Sequence, residues 1–463
     1  METKNKIKVR IKIFIGMCMI LMSYVSCDNL IEPDEPTNQI SSNEVFNNVN
    51  TADAVLSSLY AELQYNSVIS GGSRGLGSLL GTYADDLDSY FLPSQTAYLD
   101  IYNTQVLPTN AVLKTLWANA YKEIYISNAL IEGITKSSAI KEEDKKRIKG
   151  EALLIRSLIH LRLSQLFGDI PYVTTTDYTI NQSIAKLSSN ELLNKVIDDL
   201  EESKGNLKNE YRNTERIYPN RYVAVILLCQ AFMIKGDWER ARQYAEEILT
   251  SPIYQINTDL NLTFRKEGKN ILWQLKPLKV GDATAEAQLY FISGTPQNYA
   301  LSNNLVDIFD ASDLRKELWM KKVVSGPTTY YGNYKYKNTV SNINEYSVIF
   351  RIEEVYCMMA EILTRQNRIA DALPYINAVR VRAGLSVLVP SISKDQLLNE
   401  ILSEKRREFF AESGIRFFDL KRFNRLGDLN ALKPNWNGFR KVWPLPQSEI
   451  LLNPNLNPQN PGY

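Results

Sequence analysis

The chain has 463 residues, 44% apolar and 23% charged, the balance of a globular protein with one large domain or two intimate ones. Lysine and arginine total 53 against 52 aspartates and glutamates, so no global field draws it to nucleic acid or to an anionic membrane.

Lys4, Lys6, Lys8, Arg10 and Lys12 precede the apolar run IFIGMCMILM and then SYVSC, the pattern of an export signal over residues 1–26. The run is too short to span a membrane as a mature helix. Cys27, directly after Val25 and Ser26, predicts lipoprotein processing in which it becomes the acylated first residue. Tyr24 stands where such sites usually carry leucine, and a plain secretory signal with an incidental cysteine is the alternative. Residues 27–45, opening on DNLIEPDEPTNQ after the cysteine, read as a flexible acidic tether.

Beyond the tether the chain is expected to be mainly α, with a helical region over 46–250 and a C-terminal region over 251–463. Residues 66–109 carry glycine, proline, asparagine and many tyrosines, and read as ordered loops and short strands. Within them GGSRGLGSLLG lacks the spacing of a dinucleotide or phosphate loop and reads as a mobile loop. Apolar periodicity predicts helices at VLKTLWANAYKEIYISNALIEGI, KRIKGEALLIRSLIHLRLSQLF and NELLNKVIDDLEE, with loop-like residues 168–187 between the last two.

RYVAVILLCQAFMIKGDWERARQYAEEIL then reads as a helical hairpin resembling a tetratricopeptide repeat. Val223 to Ile234 is apolar nearly all round, Gly236-Asp237 turns the chain, and Trp238, Ala241, Ala245, Ile248 and Leu249 form one stripe. Residues 251–300 and 321–345 again read as loops and short strands. A second hairpin follows at 351–385, where Ile352, Val355, Tyr356, Met359 and Leu363 face Ile369, Ala372, Leu373 and Ile376, and Gly384 stops it. Cys229 and Cys357 fall inside these apolar helices and read as buried free thiols. Long insertions into such a scaffold gather on one face and commonly make its binding surface.

EKRREFFAESGIRFFDLKRF, Glu404 to Phe423, follows the second hairpin and is dense in arginine and phenylalanine. Glu404, Glu408, Glu412 and Asp419 interleave its cations, which favours an internal buttress over a phosphate-binding surface. The last stretch, VWPLPQSEILLNPNLNPQNPGY, has five prolines and is expected to lie as an extended strap.

Chemistry is hard to place on this chain. His160 is the only histidine and sits in an apolar helix, which excludes a Ser-His-Asp triad, a Cys-His pair or a multi-histidine metal site. YADDLDSY offers Asp86 and Asp88, but it lacks a glycine at the sharp turn, and Ala97 stands where a calcium loop needs glutamate. No metal, cofactor or carboxylate pair for catalysis is identified, and the chain is not expected to be an enzyme.

Taken together these segments resemble the SusD/RagB family of nutrient-binding outer-membrane lipoproteins of the Bacteroidetes. The resemblance rests on Glu404, Arg407, Glu408, Glu412, Gly414, Arg416, Phe418, Asp419, Leu420 and Arg422, and on the strap from Trp443 and Pro444 to Gly462 and Tyr463. It rests also on Glu151, Arg156, Gly168, Asp169 and Pro171 in the central GEALLIRSLIHLRLSQLFGDIPYV. It implies a superhelical scaffold of tetratricopeptide-like hairpins, a loop-rich ligand face and a lipid anchor at Cys27 in the outer membrane. It also implies docking on a SusC-like TonB-dependent transporter, and it makes Asp28, Glu32, Asp34 and Glu35 look like a surface-export tag.

The expected ligand is a complex glycan or an oligosaccharide cut from one, bound without chemistry. A sugar presents hydroxyls and apolar C–H faces, so its site needs aromatic platforms beside carboxylates or amides. Tyr83, Asp85, Asp88, Tyr90, Tyr98 and Tyr102 of the first insertion qualify, as do Tyr290, Gln297 and Tyr299, and Tyr330 and Tyr331 with Tyr334 and Tyr336. The alternative is a surface scaffold whose helical repeats bind peptide or protein nutrients in the same transport system.

Overall fold

A computed structural model describes residues 42–463, of which 42–45 form a single helical turn and 46–463 form one unit. The expected signal, Cys27 and most of the tether lie outside the described residues. In chain order come α1 (Val49–Tyr65), α2 (Leu76–Tyr83), α3 (Thr96–Tyr102), α4 (Ala111–Lys136), α5 (Glu142–Phe167), α6 (Ser189–Asn206), α7 (Arg221–Lys235) and α8 (Trp238–Leu249). After a loop-rich stretch follow α9 (Ile352–Arg365), α10 (Ile369–Arg382), α11 (Lys394–Phe409) and α12 (Ile415–Arg422).

Local chemistry marks the helix ends. Asn110 accepts from the N–H groups of Val112 and Leu113 to start α4, and Ser188 with Glu191 closes a reciprocal capping box on α6. Glu142, Glu143 and Asp144 sit in the first turn of α5, where negative charge suits the helix dipole. In the first hairpin Gly236 takes a left-handed φ of +77° to end α7, and Asp237 caps α8.

Packing follows the predicted stripes. Val223 to Cys229 are fully buried in α7, and Ala241, Ala245 and Ile248 supply the inner face of α8. In the second hairpin Ile352, Val355, Met359 and Leu363 meet Ala372, Leu373 and Ile376 across α9 and α10. Upstream, α5 packs between α4 and α6, and α1 lies on α4. The scaffold is thus mainly α, built of tetratricopeptide-like hairpins. Cys229 and Cys357 are buried free thiols.

The strands form three two-stranded antiparallel ribbons. β1 (Leu87–Ser89) pairs with β3 (Tyr299–Leu301), β2 (Ile271–Leu275) with β6 (Ser347–Arg351), and β4 (Met320–Ser325) with β5 (Thr328–Asn333). The insertions do not merely drape over the helices. Tyr290, Tyr299, Leu301, Trp319 and Tyr336 gather with Phe410 into a second hydrophobic core of their own.

Two expectations are corrected. GGSRGLGSLLG is not a mobile loop, because its second half is α2, a buried helix. A Cβ on Gly77 would lie 2.7 Å from the Ala411 carbonyl oxygen, and one on Gly414 would lie 2.7 Å from Leu80 Cδ1. Gly77 and, on the facing turn, Gly414 therefore serve close packing of α2 rather than freedom. The terminal strap is also not wholly extended, since Gln447–Leu452 winds into a short helix between Pro446 and Pro454. The Trp443 N–H donates to the Leu166 carbonyl at 2.8 Å, and Asn460 Nδ2 donates to the Phe167 carbonyl at 2.6 Å. The strap thereby satisfies carbonyls that the C-terminus of α5 leaves open.

The arginine- and phenylalanine-rich segment is an internal buttress. Glu404 accepts from Arg315 at 2.7 Å and from Arg407 at 2.7 Å; Glu408 holds Arg315 at 3.0 Å together with Arg351 and Arg382. Glu412 bridges Lys335 at 2.5 Å and Arg351 at 3.0 Å. Burial alone would raise the Glu408 carboxyl, but the fields of Arg382, Arg351 and Arg315 outweigh it and hold it well below the usual range. The network ties the insertions, through Arg315 and Lys335, to helices α9, α10 and α11.

Candidate ligand-binding face

β1 presents Asp88 outward while Leu87 is buried beneath it, the alternation a strand imposes. Tyr90 continues the ribbon, its N–H donating to the Asn298 carbonyl at 2.8 Å. That fixes its ring against Tyr330 of β5, edge to face, with centroids 5.6 Å apart and planes at 83°. Both rings are half-buried, so each keeps an accessible part.

Beside this pair the Tyr102 hydroxyl donates to Asp88 Oδ1 at 3.2 Å. Burial pushes the Tyr102 phenol up to about 12, with Asp88 adding to the effect. Burial also raises Asp88, against the pull of the Tyr102 hydrogen bond and of Lys433. Lys433 comes from far along the chain. Its Nζ lies 4.0 Å from the Tyr102 ring centre, donates to the carbonyls of Thr82 at 2.8 Å and Tyr102 at 3.0 Å, and is lowered to about 8 by burial. Sequence reading missed Lys433, because no local pattern links it to the tyrosine-rich loop.

A second aromatic pair stands alongside. Phe91 stacks on Tyr98 at 4.5 Å with planes 19° apart, and the Tyr98 hydroxyl lies 3.4 Å from Ser73 Oγ. Gln297 is exposed on the loop before β3. Tyr331 alternates away from Tyr330 and leans on the second core, so the two neighbours do different work.

Five expected ligand residues are corrected by burial, among them Tyr336, which lies in the second core and whose hydroxyl accepts from the Val348 N–H at 2.8 Å. Tyr83 is fully enclosed, its ring edge-on to Phe417, Trp436 and Trp443 and its hydroxyl bonded to the Arg440 carbonyl at 2.9 Å. Asp85 is held by Arg416 and Arg406. Tyr290 and Tyr299 belong to the second core. These side chains pack the base of the face and present no surface to a solute. The face retains Asp88, Tyr90, Tyr98, Tyr102 and Tyr330, with Gln297 exposed nearby.

His160 is buried in α5, with Nδ1 2.9 Å from the Arg156 carbonyl and Nε2 accepting from the Val173 N–H at 3.2 Å. Burial lowers it to about 3, so it is neutral at ordinary pH. Among the described residues no group of three or more His, Cys, Asp or Glu side chains is placed to hold a metal ion. No helix among them is long and apolar enough to cross a membrane.

Two family profiles match the chain: one described as "Starch-binding associating with outer membrane" over residues 33–232, and one described as "SusD family" over residues 290–463. The chain belongs to the SusD/RagB family. It is 23% identical to SusD-like protein P2 of Formosa agariphila over 97% of this chain and 99% of that one. Its fold is similar to surface glycan-binding protein A of Bacteroides thetaiotaomicron, solved with laminarihexaose, with a TM-score of 0.74 and 18% identity over 89% of this chain and 99% of the other. A laminarin-binding SusD-like protein superposes with a TM-score of 0.77 and 20% identity over 89% of this chain and 99% of the other.

Proposed function

We propose that this chain is a lipid-anchored outer-membrane protein, exposed at the cell surface, that captures a glycan and hands it to a SusC-like TonB-dependent transporter without altering it. The observation that carries the reading is the Tyr90–Tyr330 pair beside the Asp88–Tyr102 hydrogen bond. The accessible parts of the two rings match the apolar C–H surface of a sugar, and a carboxylate with phenol hydroxyls matches its hydroxyls. Family membership supports the anchor and the transporter, and similar folds that bind laminarin or laminarihexaose support a saccharide ligand.

A glycan array probed with the purified chain, repeated with a peptide library, tests the ligand class. Saccharide hits with unchanged oligosaccharide recovered afterwards support the proposal. Peptide hits alone would replace it with capture of a protein-derived nutrient.

A further inference from the structure

We propose that a cavity between the helical hairpins is a second binding site, made for a small carboxylate on an apolar body and anchored by Arg162. The cavity measures about 650 Å³ and lies among α5, α6, α7, α8, α9, α11 and α12, whereas the tyrosine face is carried by α3, β1 and β5. That volume falls within the ordinary range for small-molecule sites.

Arg162 is the reason to assign it a ligand. Its side chain is 7% exposed, and a buried guanidinium is costly unless an acid or several acceptors receive it. Every other buried arginine among the described residues meets this need with a carboxylate, Arg156 with Asp199 and Arg315 with Glu404 being two cases. Arg162 has no carboxylate within ion-pair distance among the described residues. Its one hydrogen bond runs from Nη2 to Gln230 Oε1 at 2.9 Å. Gln230 in turn donates to Glu354 Oε1 at 2.7 Å, so the amide stands between the cation and that acid.

The remaining charges point the same way. Five cationic side chains and two acids line the cavity, and one of those acids, Asp419, is already shared by Lys405 and Arg422. Lys421 donates to the Gln165 carbonyl at 2.6 Å rather than to an acid. An entering carboxylate would therefore find a guanidinium with donors to spare and a positive surplus around it. Leu161, Leu192, Met233, Trp238, Met358 and Phe418 form the apolar remainder, which suits an alkyl or aryl body rather than a second charge or a string of hydroxyls.

Titration calorimetry with sodium octanoate, octanol and octylammonium tests the assignment. The wild-type chain should bind octanoate with a Kd below about 1 mM and prefer it to both other probes. Arg162→Met, which keeps most of the side-chain volume, should weaken octanoate about tenfold or more and leave octanol unchanged. Ile234→Trp, at a lining residue that also reaches solvent, should block octanoate and octanol alike, and serves as the deciding variant should Arg162→Met fail to fold. Tyr330→Ala should bind octanoate as the wild type does, which separates this site from the tyrosine face. Absence of octanoate binding, equal affinity for octanol, or wild-type affinity in folded Arg162→Met or Ile234→Trp overturns the proposal.

Discussion

Arg416 grips Asp85 with two parallel hydrogen bonds, Nε to Oδ1 at 2.9 Å and Nη2 to Oδ2 at 3.0 Å, and so joins α12 to the turn after α2. Asp86 lies beside this pair and is held by Arg406 at 3.0 Å, so two adjacent acids are matched by two arginines. Asp88, two residues beyond Asp86 and in β1, emerges on the candidate face. The buried charges thus aim the strand that carries the candidate site.

Arg416→Ala should destabilise the protein by about 3–5 kcal/mol, because Asp85 would stay buried with one partner lost. Thermal melting should show the loss, and Arg416→Lys should recover only part of it, since a point charge cannot span both carboxylate oxygens. A normally stable Arg416→Ala protein that had lost ligand binding alone would move Arg416 from the buttress to the site.

Mutation to alanine should divide the tyrosines by burial. Tyr90→Ala and Tyr330→Ala remove half-exposed rings and should weaken glycan affinity by about 1 kcal/mol or more, with little change in melting temperature. Tyr83→Ala and Tyr290→Ala empty the two cores and should cost about 3–5 kcal/mol of stability, as loss of a buried aromatic side chain does. Calorimetry beside a melting curve for all four variants checks the division; equal melting temperatures across the set would contradict it.

The hairpins were legible because their apolar spacing is local: Ala241, Ala245 and Ile248 recur three to four residues apart and announce one helix face over two turns. The buttress was legible for a related reason, since Glu404 and Arg407 meet across one turn of α11. The candidate ligand face was only half legible. A tyrosine beside aspartates has the right chemistry whether it lies over a core or over water, and what separates Tyr83 from Tyr90 is contact with Phe417, Trp436 and Trp443, far along the chain. The same distance hid Lys433. α2 was misread because glycine signals a loop to its neighbours in sequence, while here it admits the backbone near Ala411.

Anchoring rests on the sequence, because Cys27 lies outside the described residues. Cys27→Ala should abolish labelling by a fatty-acid probe and release the chain from the membrane fraction. Protease treatment of intact cells should then degrade the wild-type protein if the anchor holds it on the outer face; protection would place it on the inner one.

Glu123 sets a pH dependence of stability that opposes acid denaturation. It is fully buried in α4, its Oε2 accepts from Ser67 Oγ at 3.0 Å, and burial raises it from 4.5 to about 8, with Glu62 adding to the rise and Ser67 and Lys122 opposing it. The folded chain therefore holds a proton at pH 7 that the unfolded chain has released. Its contribution is greatest below 4.5 and is lost as pH rises through about 8. Glu123→Gln keeps the shape and the capacity to hydrogen-bond Ser67 but cannot ionise. The variant should lose less stability than wild type between pH 5 and pH 9, with the gain in melting temperature growing toward the alkaline end. Parallel curves for the two proteins across that window would show that Glu123 does not titrate on unfolding.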